Sequence, residues 1–131
     1  SLHDALPILM SKINSFEDLL VWQKAINISV EVYKLTSKFP KEEIFGITSQ
    51  LRRASNSISL NISEGSVKST ATFILQLGHA RGSAGELLSG FILSQKLGFI
   101  NQDELSNMRA LIEEESKMIN SLITAIKNKN K

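Results

Sequence analysis

The sequence predicts an all-α fold, an up-down-up-down antiparallel four-helix bundle. Three observations carry this. Prolines number two in 131 residues, and glycines gather at a few breaks. Between the breaks, apolar residues recur at alternating three- and four-residue spacing, the period of an amphipathic helix. The segments so bounded are of nearly equal length, about 23 to 28 residues or roughly 35 to 42 Å as helices. Equal helices joined by short loops pack as antiparallel neighbours.

The first helix is expected from about Ser15 to Ser37, stopping before Phe39-Pro40, because the residue preceding a proline is pushed out of the helical region. The second should start between Pro40 and Glu43, with proline and acids in its first turn, and stop at Gly65. The third follows a Ser69 or Thr70 cap and ends at Gly98. The fourth begins after Asn101, with Asp103 and Glu104 at its positive end, and frays through Lys127, Lys129 and Lys131.

Core seams follow from the same spacing. Ile44, Ile47, Leu51, Ala54, Ile58 and Ile62 mark the second helix, and Phe73, Leu77, Ala80, Ala84, Leu87 and Phe91 the third. The fourth repeats the pattern with Leu105, Met108, Ile112, Ile119, Leu122 and Ile126, but Glu115 holds a central position of that stripe. A carboxylate there needs a partner, and counting from the helix junctions puts Arg81 or Arg53 at its height.

The first helix carries two seams. Phe16, Leu19, Trp22, Ile26, Val30 and Tyr33 line one side, and Val21, Ala25, Ile28, Val32 and Leu35 another. A core-facing helix needs an apolar arc of roughly 100° or a little more, and this arc is wider. The second seam is therefore expected to be covered by another subunit. The alternative, a central and doubly buried first helix, fits poorly with four helices that each keep an outer face.

At this length the chain is one domain with one core, and 42% hydrophobic with 21% charged residues is a globular balance. Zero cysteines exclude disulfides and thiolate chemistry and suit a cytoplasmic setting. No apolar run approaches the length that spans a bilayer. Residues 1–9 are expected to be a non-native leader ahead of Met10, leaving 10–131 as the bundle domain. Without Asp4 the balance is 15 basic against 12 acidic residues, a net +3 and a mild bias toward anionic partners.

The inventory is poor in chemistry. His3 and His79 are the two histidines, which excludes histidine-pair metal sites and triads. Glu113, Glu114 and Glu115 are consecutive on a helix and point about 100° apart, so they do not converge on a metal. Gly78, Gly82, Gly85 and Gly90 lie within a helix, not in a phosphate loop, and read as sites of close helix packing. The expectation is no enzyme, no cofactor and no metal.

Two polar stripes remain. Gln50, Arg53, Ser57, Asn61 and Glu64 share a face of the second helix, and Gln76, His79, Ser83, Glu86, Gly90 and Ser94 a face of the third. Where they meet, they form either a hydrogen-bond network that sets register or a groove for a ligand or nucleic acid. A thin basic surface is built from Arg52, Arg53, Lys68, Arg81 and the tail lysines Lys127, Lys129 and Lys131, the arginines being equally readable as solvated or ion-paired.

Gln50-Leu51-Arg52-Arg53-Ala54, the helix end Asn61-Ile62-Ser63-Glu64-Gly65, and Gly82-Ser83 with Glu86 resemble the four-helix-bundle family of 23S ribosomal RNA intervening-sequence proteins. The resemblance runs from Phe16 to about Ile126; position 63 is more often alanine in that family. It implies a ring-shaped homo-oligomer, a pentamer. Accessory variability determinants of diversity-generating retroelements are similar bundles, and the analogy implies association with RNA or with a reverse-transcriptase-like protein. The expected role is a non-enzymatic oligomeric bundle bound to RNA or an RNA-bound protein; the alternative is a structural adaptor. Trp22 and Tyr33 are assigned to a buried seam, so RNA contacts are expected mainly at phosphates.

Overall fold

The computed structural model describes residues 15–129, so the leader at 1–9 and Lys131 lie outside the described residues. Four helices make up the fold: α1 (Leu20–Thr36), α2 (Ile47–Ser66), α3 (Thr70–Lys96) and α4 (Gln102–Lys129). Each packs against its two neighbours in a closed square, α1 on α2 and α4, α3 on α2 and α4, and neither diagonal pair brings its backbones within 8 Å Cα to Cα.

Local chemistry sets the ends. Ser69 caps α3 by accepting from the Thr72 N–H at 3.2 Å. Asn101 and Glu104 form a reciprocal capping box ahead of α4, with bonds of 2.8 and 2.9 Å. Gly98, at φ +80, closes α3 in a Schellman turn: the Phe99 N–H reaches Ser94 O at 2.9 Å and the Gly98 N–H reaches Gln95 O at 3.0 Å.

Two helices start later than their periodicity implies. Ser15 accepts from the Glu17 N–H and closes a separate 3-10 turn, Phe16–Asp18, after which Leu19 is extended and α1 begins at Leu20. Pro40 likewise starts a 3-10 turn, Lys41–Glu43, and a non-helical Gly46 delays α2 to Ile47, whose N–H donates to the Glu43 carboxylate at 3.3 Å. This shift puts Ile44 outside the core stripe, 47% exposed, and leaves Phe45 beside it 95% exposed.

The remaining α2 stripe and all the residues of the α3 and α4 stripes are buried. The assignment of the two seams of α1 is reversed. Val21, Ala25, Ile28 and Val32 are 0–5% exposed within a single chain, and Leu35 packs on the same core, so none of the five is left for another subunit. The packing of α1 on α2 and α4 chooses this phase; of the opposite seam, Leu19 is buried and Phe16 and Trp22 pack on the core, while Ile26, Val30 and Tyr33 stay open.

The helical glycines also divide. A Cβ on Gly90 would lie 2.5 Å from Leu51 Cδ2, and one on Gly65 3.1 Å from Gln76 and Phe73, so these two allow α2 and α3 to approach closely. Gly82 and Gly85 meet nothing within 4 Å and Gly78 only the tip of Arg81, so close packing inside the bundle does not explain them. Gly90→Ala is expected to cost about 1–3 kcal/mol, because Leu51 is buried and must yield. Thermal denaturation at matched concentration checks this; an unchanged midpoint would contradict it.

Candidate functional site

The polar stripes of α2 and α3 meet, in part. Ser83 Oγ donates to Ser57 Oγ at 2.9 Å, and the Asn61 amide donates to Ser57 Oγ and O at 3.0 and 2.8 Å, forming a line across the α2–α3 seam. Lower down, hydrogen bonds from Lys68 and then Gln76 hold the Glu64 carboxyl below its ordinary range. Gln50 and Glu86 stay exposed and do not join this line. One bond of this line, Ser83 to Ser57, crosses between the helices and sets their register, while the Asn61 amide is held by Ser57 within α2.

Of the basic residues, several are committed inside the chain. Arg52 lies 4.6 Å above the Tyr33 ring and donates from Nε to Thr36 Oγ1 at 3.0 Å, while the Asn56 amide donates to the Tyr33 hydroxyl at 2.8 Å. Lys68 pairs with Glu64 at 2.7 Å, and Arg81 donates to Asn120 Oδ1 at 2.7 Å. Arg53, Lys127 and Lys129 are exposed and make no such bond among the described residues.

Glu115 departs from the expected pairing. Its side chain is 0% exposed, neither carboxylate oxygen has a hydrogen-bond partner, and no arginine reaches it. The reason is geometric. Arg53 is exposed on α2, the helix diagonal to α4, and Arg81 sits opposite Asn120, five residues or about 7–8 Å along the helix from Glu115. Burial pushes the Glu115 carboxyl up to about 8, against the attraction of Lys24 and with the repulsion of Glu114.

What the periodicity left unnoticed is apolar and on the outside. A shallow open groove of about 700 Å³ between α1 and α2 sets the apolar Ile44, Phe45 and Leu60 and the Tyr33 ring beside a polar wall of Arg52, Arg53, Asn56, Ser57 and Asn61. Leu60 is 63% exposed, and Ile26 and Val30 continue the stripe along α1 at helical spacing from Tyr33. The expectation that no aromatic ring is exposed is therefore overturned: Tyr33 is 41% exposed and Phe45 almost wholly so. A second open stripe runs down α3, opposite its core face, through Leu75, Gly78, Gly82, Gly85 and Leu93, with the two leucines 60% and 51% exposed. Its spacing was legible in the sequence, as three- and four-residue steps of small and apolar residues on the side away from Leu77 and Ala84.

Among the described residues no cluster of three His, Cys, Asp or Glu is placed to hold a metal, and no helix is long and apolar enough to cross a membrane. No curated protein is significantly similar to the chain. Among solved structures it resembles a protein of unknown function from the S23 ribosomal protein family of Bacteroides thetaiotaomicron, at 25% identity and a TM-score of 0.74, over 80% of this chain and 96% of that one. The family model of the 23S rRNA-intervening sequence proteins matches residues 17–121. The chain belongs to the 23S rRNA-intervening sequence protein family.

Proposed function

We propose that the protein is a non-enzymatic scaffold that assembles with copies of itself, as a closed ring, and associates in that form with RNA or an RNA-bound protein. The observation that carries the reading is the pair of dissimilar open apolar faces on one small bundle, the α1–α2 face with Phe45 projecting from it and the α3 stripe of small residues between leucines. Contiguous exposed apolar surface of this kind marks an interaction site. Two different faces on one subunit suit head-to-tail contact, which closes into a ring when the rotation permits; five copies is the number the family resemblance implies.

The RNA half of the reading rests on the family and on the exposed lysines Lys127 and Lys129, which lie away from the α1–α2 groove. Repetition around a ring multiplies a modest subunit charge into a continuous field. With Tyr33 and Phe45 assigned to assembly, phosphate contacts should dominate, giving weak sequence preference and a steep fall of affinity with salt.

A titration of labelled RNA against the assembled protein across a salt series tests this. The expected result is binding at low salt whose slope is reduced by neutralising Lys127 and Lys129, with no change in assembled mass. Absence of binding at low salt would reject the RNA association and favour a structural adaptor.

A further inference from the structure

Glu115 lies inside the bundle with both carboxylate oxygens unpartnered, while its neighbour Glu114 points outward with its side chain 63% exposed. Lys24, on α1, crosses the α1–α4 seam to Glu114 at 3.1 Å, and its own side chain is 16% exposed. One largely buried lysine side chain thus holds the outer carboxylate, while the inner carboxylate, next in sequence and within reach of the lysine's field, has no partner. Its positive charge favours the ionised form of Glu115, whereas Glu114 opposes it.

Other charges near this seam are occupied or turned away. On α1, Glu31 is bridged to Lys34 at 3.5 Å; on α3, Arg81 is bound to Asn120 and Glu86 is exposed; on α4 itself, Arg109 is paired with Glu113 at 3.5 Å and Lys117 is exposed. The exchange therefore concerns three residues. We infer that Lys24, Glu114 and Glu115 form a proton-linked switch: Lys24 ties α1 to Glu114 while Glu115 carries a proton, and is drawn inward to Glu115 when that proton leaves. A buried carboxylate without a partner is strongly disfavoured, so the inward move supplies the missing counter-charge, and the bridge to Glu114, a carboxylate that water can solvate in its place, is what it gives up. Of the four neighbouring pairs, α1 and α4 have the fewest close backbone approaches, which leaves side chains between them room to change place.

Side-chain NMR of the intact protein from about pH 5 to pH 10 tests the inference, following the Glu115 Cδ and Lys24 Cε resonances. Glu115 is expected to titrate with a midpoint near 8, and Lys24 to shift with the same midpoint. Glu115→Gln should abolish the Lys24 step. Lys24→Met should move the Glu115 midpoint upward, and Glu114→Gln should move it downward. The inference is overturned if Glu115 titrates in the ordinary carboxylate range, if Lys24 does not respond when Glu115 ionises, or if its response survives Glu115→Gln. Should Glu115→Gln fail to fold, the native titration and the Lys24→Met midpoint decide alone.

Discussion

Replacing Glu115 by glutamine is expected to remove a loss of stability, amounting to a few kcal/mol, that the native protein undergoes as pH rises from about 4.5 to about 8. In the unfolded chain this carboxyl loses its proton near the ordinary value of 4.5, whereas in the fold, enclosed at 0% exposure, it holds the proton to about 8. Between those limits the folded state binds a proton that the unfolded state has released. Stability from this group is therefore fully present below the lower limit and declines as pH climbs through the upper one, by at most about 1.4 kcal/mol per unit. Against a total of roughly 5–15 kcal/mol for a domain of this kind, the change is large.

Glutamine keeps the shape and does not titrate, so only the slope is at issue, not the absolute stability of the variant. Urea denaturation of both proteins at a series of pH values reads it. Equal slopes would mean that Glu115 is not the group held protonated. Glu115→Met should go further and stabilise the fold near pH 8, since replacing a buried ionisable group by an apolar one of similar volume often gains 1–4 kcal/mol.

The second large effect concerns assembly. If the chain assembles as proposed, Phe45→Asp is expected to leave folded 14.5 kDa subunits, because the aromatic ring is 95% exposed, contributes nothing to the bundle core, and projects from the α1–α2 face. Aspartate there would place a charge in a desolvated contact. The helical circular dichroism should be unchanged while the mass falls. The same change at Ile28, 0% exposed, should unfold the chain instead, since that side chain belongs to the subunit's own core. Retention of full mass by Phe45→Asp would show that assembly does not use this face.

The fold was largely legible because its stripes are unambiguous: Phe73 to Phe91 on α3 and Leu105 to Ile126 on α4 each define one buried face, whatever packs against it. On α1 the reading divided. Its two seams are comparably apolar, and which turns inward is decided by the positions of α2 and α4, a tertiary matter that no local pattern contains. The partner of Glu115 was misread because counting from junctions gives height only approximately, so Arg81 falls opposite Asn120, and gives no lateral position, so Arg53 falls on the helix diagonal to α4; the count also missed the 3-10 turn at Lys41–Glu43 that delays α2. That same turn hid Phe45. Assigned to the first turn of the second helix it drew no notice, whereas outside the helix it becomes the most exposed large side chain of its face. The basic surface shrank because Arg52, Lys68 and Arg81 found partners on other turns or helices, and of these only the Glu64–Lys68 spacing of four is readable in advance.

Multi-angle light scattering of the native protein at micromolar concentration tests the scaffold reading most directly. A single species several times 14.5 kDa, near five subunits, is the expected result. A well-folded monomer at that concentration would contradict it, and would leave the open faces of α1–α2 and α3 to a different partner.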